Sequence, residues 1–358
     1  MKKFFILFSI LAIAVLNVNA VVRTVSNNPD IPAQYNNLQT AIDASAAGDT
    51  ILVSGSSTSY GDITIRKKLV LFGAGYNNNY GYSTIIGSLY LIRQNASIGA
   101  SGTRISGFYI QSYTYLQGSF SGGQPSEKKL ENVVIERCRI YYISWNQSDV
   151  TYINDTIRNC LFQSYYMQFA SATYTNVIIH NNIFDNYYLY GTSGANLSSV
   201  FLRNNVALNE NTNFFSSSSS RIINMVVENN IFYDSEPQGC YGCTFNNNIT
   251  YLNTNDIIPG ADNSGSGNLI GTDPQFTSYP FEGGGFSYTR DFTLKSTSPG
   301  IDAGTDNSDI GMTGGLMPYT PGANPQIPQM TEVKFPDNAS SVKIGGTLNV
   351  SFKAKKQD

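Results

Sequence analysis

An apolar residue, two spacers, an Asn or Cys, one spacer and a second apolar residue recur through the middle of the chain. The matches are Ile135-Cys138-Ile140, Ile157-Cys160-Phe162, Ile179-Asn182-Phe184, Leu202-Asn205-Ala207, Val227-Asn230-Phe232 and Phe245-Asn248-Thr250. Ile105-Phe108-Ile110 fits as an earlier, variant unit. The Asn/Cys position returns after 22, 22, 23, 25 and 18 residues. Val133, Val177 and Met225, two positions before the first apolar residue, extend several units into alternating strands, whereas Asp155 breaks that slot. Such units carry no helical period and are too short for a strand-helix-strand crossover. They suit one coil of a solenoid whose strands pair in parallel with the coils above and below, about 4.8 Å away. Asn suits the bend between two strands, because it tolerates left-handed backbone angles and bonds to neighbouring backbone.

Two flanking stretches fit the same design. "YNNLQTAIDASAAGDTILVSG" places Leu38, Ala41, Ile42 and Ala46 on a 3.6-period stripe ahead of a strand, predicting a short capping helix. "GTDPQF" and "DFTLKSTSPGIDAGTDNSDIGMTGG" follow the repeats. Together these segments resemble the right-handed parallel β-helix of the pectate-lyase-like superfamily, in the form taken by secreted bacterial members. That resemblance spans about Val21 to Tyr319 and implies an all-β fold of about eight to ten coils. It implies no particular activity, since the fold carries lyases, hydrolases, adhesins and spacers alike.

The chain divides accordingly. Residues 1–20 have two lysines, an apolar core and small residues at Val18-Asn19-Ala20, the pattern of a secretory signal. We expect export to the periplasm, the cell surface or the medium. Residues 21–319 form the β-helix with its C-terminal cap. Residues 320–330 read as a proline-rich linker, and residues 331–358 as a short β tail too small for its own core.

Composition narrows the partners. Charged residues are 13% of the chain, against about 25% in ordinary domains. Loss of Lys2 and Lys3 with the signal takes the formal charge from −3 to −5. No basic footprint for nucleic acid exists, and no second apolar run suggests a membrane span. We expect a monomer with no cofactor. Cys240-x-x-Cys243 lacks the second pair of a zinc site, and Cys138 lies one coil below Cys160, where buried thiols fit better than a strained disulfide.

Superposing the coils turns single residues into columns. One column holds Glu136, Arg158, His180, Arg203 and Glu228, and alternation points it to solvent. His180 is the only histidine and a weak catalytic candidate, as is Asp185 beside it in sequence. A second column aligns "YYISW", "YYMQF" and "YYLYG". With Ile143, Met167 and Leu189 inward, Tyr141, Tyr165 and Tyr187 also point in, while Tyr142, Tyr166 and Tyr188 point out, followed by Ser144, Gln168 and Tyr190. Tyr115 continues the strip one coil earlier. In the resembling superfamily this region floors a polysaccharide groove, so Tyr115, Tyr142, Tyr166, Gln168, Tyr188 and Tyr190 are expected to bind polysaccharide. A calcium site near Asp302, Asp306 and Asp309 is the weaker reading of a Gly-rich end cap. The strip shows no paired carboxylates and no base, so a non-catalytic binding protein is preferred over a lyase or hydrolase, and over a ligand-free spacer.

Overall fold

The computed structural model describes residues 20–77, 82–92, 99–117, 128–145, 147–192, 195–216, 221–254, 257–260, 262–280 and 284–319, with the strands Gln329–Lys334 and Ser351–Lys355. The expected signal, apart from Ala20, and most of the linker lie outside these residues. The chain is a parallel β-solenoid. One sheet stacks ten parallel strands, from Val22–Val25 through Arg104–Ser106, Val134–Glu136, Thr156–Arg158, Val177–His180 and Val200–Arg203 to Thr244–Asn246. A second sheet of twelve strands runs beside it, and a third of three strands closes one side of the coils. The register is strict: Ile135, Ile157, Ile179, Leu202, Val227 and Phe245 stack on one another and are fully buried. Inside, Trp145 lies flat on Phe169 at 4.9 Å, and Phe162 on Phe184 at 4.9 Å.

The helix Leu38–Ala44 covers the first coils with Leu38, Ala41 and Ile42, and Asn37 caps it by accepting from Thr40 N–H at 2.9 Å. Ala46 falls beyond its end and is exposed.

Asparagine acts in two adjacent ladders, not one. The predicted ladder is internal. Cys160 N–H donates to Asn182 Oδ1, Asn182 N–H to Asn205 Oδ1, Asn205 N–H to Asn230 Oδ1 and Asn230 N–H to Asn248 Oδ1, all at 2.9–3.0 Å. Asn268 adds a rung that the sequence pattern missed. Left-handed backbone, however, belongs to the residue before each rung: Asn159, Asn181, Asn204, Asn229 and Asn247 all have φ of 51–58°. Their side chains point away from the core and grip another segment.

That segment is the expected end cap, which instead runs back along the flank. Asn247 Nδ2 donates to Ala303 O, Asn229 to Thr305 Oγ1, Asn204 to Asp309 O, Asn181 to Met312 O and Gly314 O, and Asn159 to Met317 O. The strap ends where Tyr319 meets the hydroxyl of Tyr76 at 2.7 Å, 243 residues away in sequence. Its reason is apolar. The outer face of the second sheet carries Leu161, Ile183, Val206, Ile231 and Ile249, and Phe276, Phe292, Ile310, Met312 and Tyr319 bury it as a second core. The tail strands Gln329–Lys334 and Ser351–Lys355 pair antiparallel as a hairpin.

Candidate functional site

The strands Leu89–Ile92, Tyr109–Gln117, Arg139–Trp145, Tyr166–Phe169 and Tyr188–Gly191 lie side by side in the second sheet. Leu89, Ile143, Met167 and Leu189 face the core and are fully buried. The residues between them face out in two columns. The first column is Tyr90, Tyr115, Ser144, Gln168 and Tyr190. The second contains Tyr113 opposite Tyr142, then Tyr166 opposite Tyr188. Tyr90 and Tyr113 were not singled out from the sequence. The alternation in Leu89-Tyr90-Leu91 was the available signal for the first of them.

The rings form a continuous path across the strands. Centroids are 5.4 Å apart for Tyr90–Tyr115, 5.8 Å for Tyr115–Tyr142, 5.1 Å for Tyr142–Tyr166 and 5.7 Å for Tyr166–Tyr190. Tyr90 and Tyr115 stack at 26°, so they spend ring faces on each other. Tyr113 is 38% exposed and Tyr115, Tyr166, Tyr188 and Tyr190 are half-buried. Tyr142 departs from expectation. It has the outward parity but is only 5% exposed, because Tyr113, Tyr115, Tyr165 and Tyr166 set ring edges against it. Its hydroxyl donates to Gln168 Oε1, which Ser144 Oγ also reaches at 3.2 Å. Tyr142 thus braces the platform from beneath.

Tyr141 and Tyr165 also differ from the predicted alternation. Both are half-buried and stack on each other at 4.7 Å, whereas Tyr187 is buried as expected. A register shift after Ile140 and the left-handed Ser164 interrupt strict alternation before these residues. Burial pushes the Tyr142 phenol up to about 12 and raises those of Tyr115 and Tyr166. These phenols stay protonated at neutral pH and can both donate and accept hydrogen bonds. They are poorly tuned for proton transfer there.

The weak catalytic candidates do not converge. His180 lies in the ten-stranded sheet, in register with Arg158 and Arg203. Its Nδ1 meets Asn181 Oδ1 at 2.7 Å, and since Asn181 Nδ2 is committed to Met312 O and Gly314 O, the imidazole Nδ1–H is the donor. Burial lowers its pKa below 6.5, and the arginines on either side add to that. As the only histidine, it should give a single titrating imidazole resonance by NMR with a midpoint below 6.5; a midpoint at or above 6.5 would contradict this environment. The column containing it is less solvated than alternation suggested. Glu136 is 2% exposed, held by Arg104 Nε and Arg158 Nε at 2.8 Å each. Burial alone would raise its carboxyl, but Arg158 and Arg104 outweigh that and hold it below the ordinary value.

Asp185 belongs to the second sheet and is 8% exposed, not at the edge of a groove. Gln163 Nε2 donates to it at 2.6 Å and Phe286 N–H at 2.9 Å, so the segment after residue 284 roofs it. Asp302, Asp306 and Asp309 serve their own turn. Asp309 accepts from Asp302 N–H and Asp306 from Ser308 Oγ–H. Among the described residues no three His, Cys, Asp or Glu side chains gather as a metal site. The four cysteines are free thiols, with Cys138 and Cys160 fully buried.

No family model matches the chain, and neither does any curated protein. Among solved structures, a rhamnogalacturonan lyase superposes on 78% of this chain and 96% of its own, at 12% identity and a TM-score of 0.40.

Proposed function

We propose that the protein is an exported, non-catalytic β-solenoid that binds polysaccharide along the tyrosine platform. The observation that carries this reading is the outward path of tyrosine rings across adjacent coils, half-buried at Tyr90, Tyr115, Tyr166, Tyr188 and Tyr190 and braced by the buried Tyr142, on a parallel sheet. Aromatic side chains with a polar tip suit a ligand with apolar ring faces and hydroxyl edges, and little ordering entropy is lost because the rings already brace one another. The catalytic alternative needs an acid and a base across one bond. His180 and Asp185 lie on different sheets and each is engaged within the fold. Export rests on the leader-like residues 1–20. Among the described residues no helix is long and apolar enough to cross a membrane.

Affinity electrophoresis against a polysaccharide panel tests the reading. The variant combining Tyr115→Ala, Tyr166→Ala and Tyr190→Ala should lose at least about tenfold in affinity for any polymer that retards the native protein, roughly 1.4 kcal/mol. Unchanged retardation by a variant with native circular dichroism would remove the platform from the account. Release of unsaturated products from uronate polymers, abolished by Asp185→Asn or His180→Ala, would reverse the non-catalytic assignment.

A further inference from the structure

The chemistry of the platform also selects among polysaccharides. Its two columns contain Tyr, Ser and Gln, and among the described residues neither column holds a cation. An acidic polymer would have to shed water from its carboxylates here without gaining a charged partner, which costs free energy. Arginines of the ten-stranded sheet and of the strand Arg139–Trp145 are committed elsewhere. Arg104 and Arg158 hold Glu136, Arg203 holds Glu228, and Arg139 lies over the Tyr109 ring at 4.5 Å. At the foot of the platform Asp62, which accepts from Ser88 N–H at 2.7 Å, adds an exposed anion. The formal charge of the chain is −3. A polyuronate therefore meets repulsion, and attraction is left to hydroxyls and ring faces.

The available groups match a neutral partner. The Tyr115 phenol, kept protonated by its surroundings, both donates and accepts, as a sugar hydroxyl does. Gln168 adds an amide whose Oε1 is already taken by Tyr142 and Ser144, so the pair orients its Nε2 donors. The ring path from Tyr90 to Tyr190 crosses the strands instead of following one of them.

We propose that the occupant is a neutral, hydroxyl-rich glycan chain lying along the stacking axis from Tyr90 to Tyr190, an inference that rests on the polysaccharide-binding reading above.

The test uses the full chain in affinity gels containing a neutral β-glucan, a neutral galactan, polygalacturonate, or polygalacturonate whose carboxyls have been reduced to alcohols. Retardation is expected with at least one neutral polymer, and at least about fivefold stronger with the reduced polymer than with its acidic parent. Between low and high salt the neutral-polymer affinity should change by less than about twofold. Gln168→Lys should raise affinity for the acidic parent and make it salt-sensitive. Tyr90→Ala and Tyr190→Ala, at opposite ends, should each weaken a long neutral polymer about threefold. Stronger binding to the acidic parent would overturn neutrality while leaving polysaccharide binding standing. Sensitivity to only one of the two end variants would overturn the axial path. Retardation by none of the polymers would overturn the binding reading itself.

Discussion

Replacing Asn205 with alanine should lower the unfolding free energy by about 3–5 kcal/mol. Asn205 is 2% exposed and its side chain makes four hydrogen bonds. Its Oδ1 accepts from Asn182 N–H at 2.9 Å and Asn182 Nδ2 at 3.0 Å, and its Nδ2 donates to Ile179 O at 3.0 Å and Asn230 Oδ1 at 2.9 Å. Alanine orphans the Asn182 N–H in a dry interior and also removes the hydrogen bonds to Asn182 Nδ2, Ile179 O and Asn230 Oδ1. Each buried polar group left without a partner costs about 1–3 kcal/mol. A matched control lies on the exposed ladder, where Asn154 Nδ2 donates to Asn132 Oδ1 at 3.2 Å and Asn154 Oδ1 accepts from Asn176 Nδ2 at 3.0 Å. Asn154 has φ of 56°, so glycine there keeps the backbone relaxed and removes only solvated bonds, at a cost below about 1 kcal/mol. Urea unfolding followed by Trp145 fluorescence compares the two. Equal effects from Asn205→Ala and Asn154→Gly would show that the internal ladder is not what joins the coils.

Stability should also fall as pH rises from about 4 to about 7, because of Asp155. This carboxyl is fully buried in the core, where Val133 N–H donates to Oδ1 at 3.0 Å and Trp145 Nε1–H to Oδ2 at 3.3 Å. Among the described residues no cation pairs with it. Desolvation pushes its pKa from 3.8 up to about 7, and the two donated hydrogen bonds only partly oppose that. The folded state therefore keeps the proton up to about pH 7, while the unfolded chain releases it near 3.8. Within that window the unfolded state binds fewer protons, so each step up in pH disfavours folding. The penalty is absent below the window and complete above it, and a displacement of this size corresponds to about 4 kcal/mol. Asp155→Asn has no such proton to lose. The stability difference between native protein and variant should shift by about 2–4 kcal/mol from pH 4 to pH 8, in the direction that favours the variant at high pH. Parallel stability curves would show that Asp155 does not titrate in this range.

Asp155 illustrates where a linear reading stops. It occupies a slot that other coils fill with Val133, Val177 or Met225, and nothing periodic explains the exception. Its explanation is Trp145, ten residues earlier and across the coil, whose indole N–H needs a buried acceptor. Glu136 is similar. Alternation placed it outward correctly as a direction, but two guanidiniums from neighbouring coils close over it. Tyr142 also has the predicted parity and is covered by four neighbouring rings. In each case period-2 logic sets which way a side chain points, while burial depends on how large its neighbours in the adjoining coils are.

The repeat in the sequence alone determined the solenoid, the buried column from Ile135 to Phe245, the Asn rungs and the side of the sheet on which Tyr166, Tyr188 and Tyr190 stand. These are contacts between equivalent positions in successive coils, so a period of about 22 residues encodes them directly. Only the tertiary structure decided which asparagines adopt left-handed backbone to hold the strap, why Asp185 is roofed and how Tyr319 reaches Tyr76. Those contacts join non-equivalent positions up to 243 residues apart. They arise because the second sheet leaves an apolar outer face that must be covered, and that demand specifies burial without specifying which part of the chain supplies it.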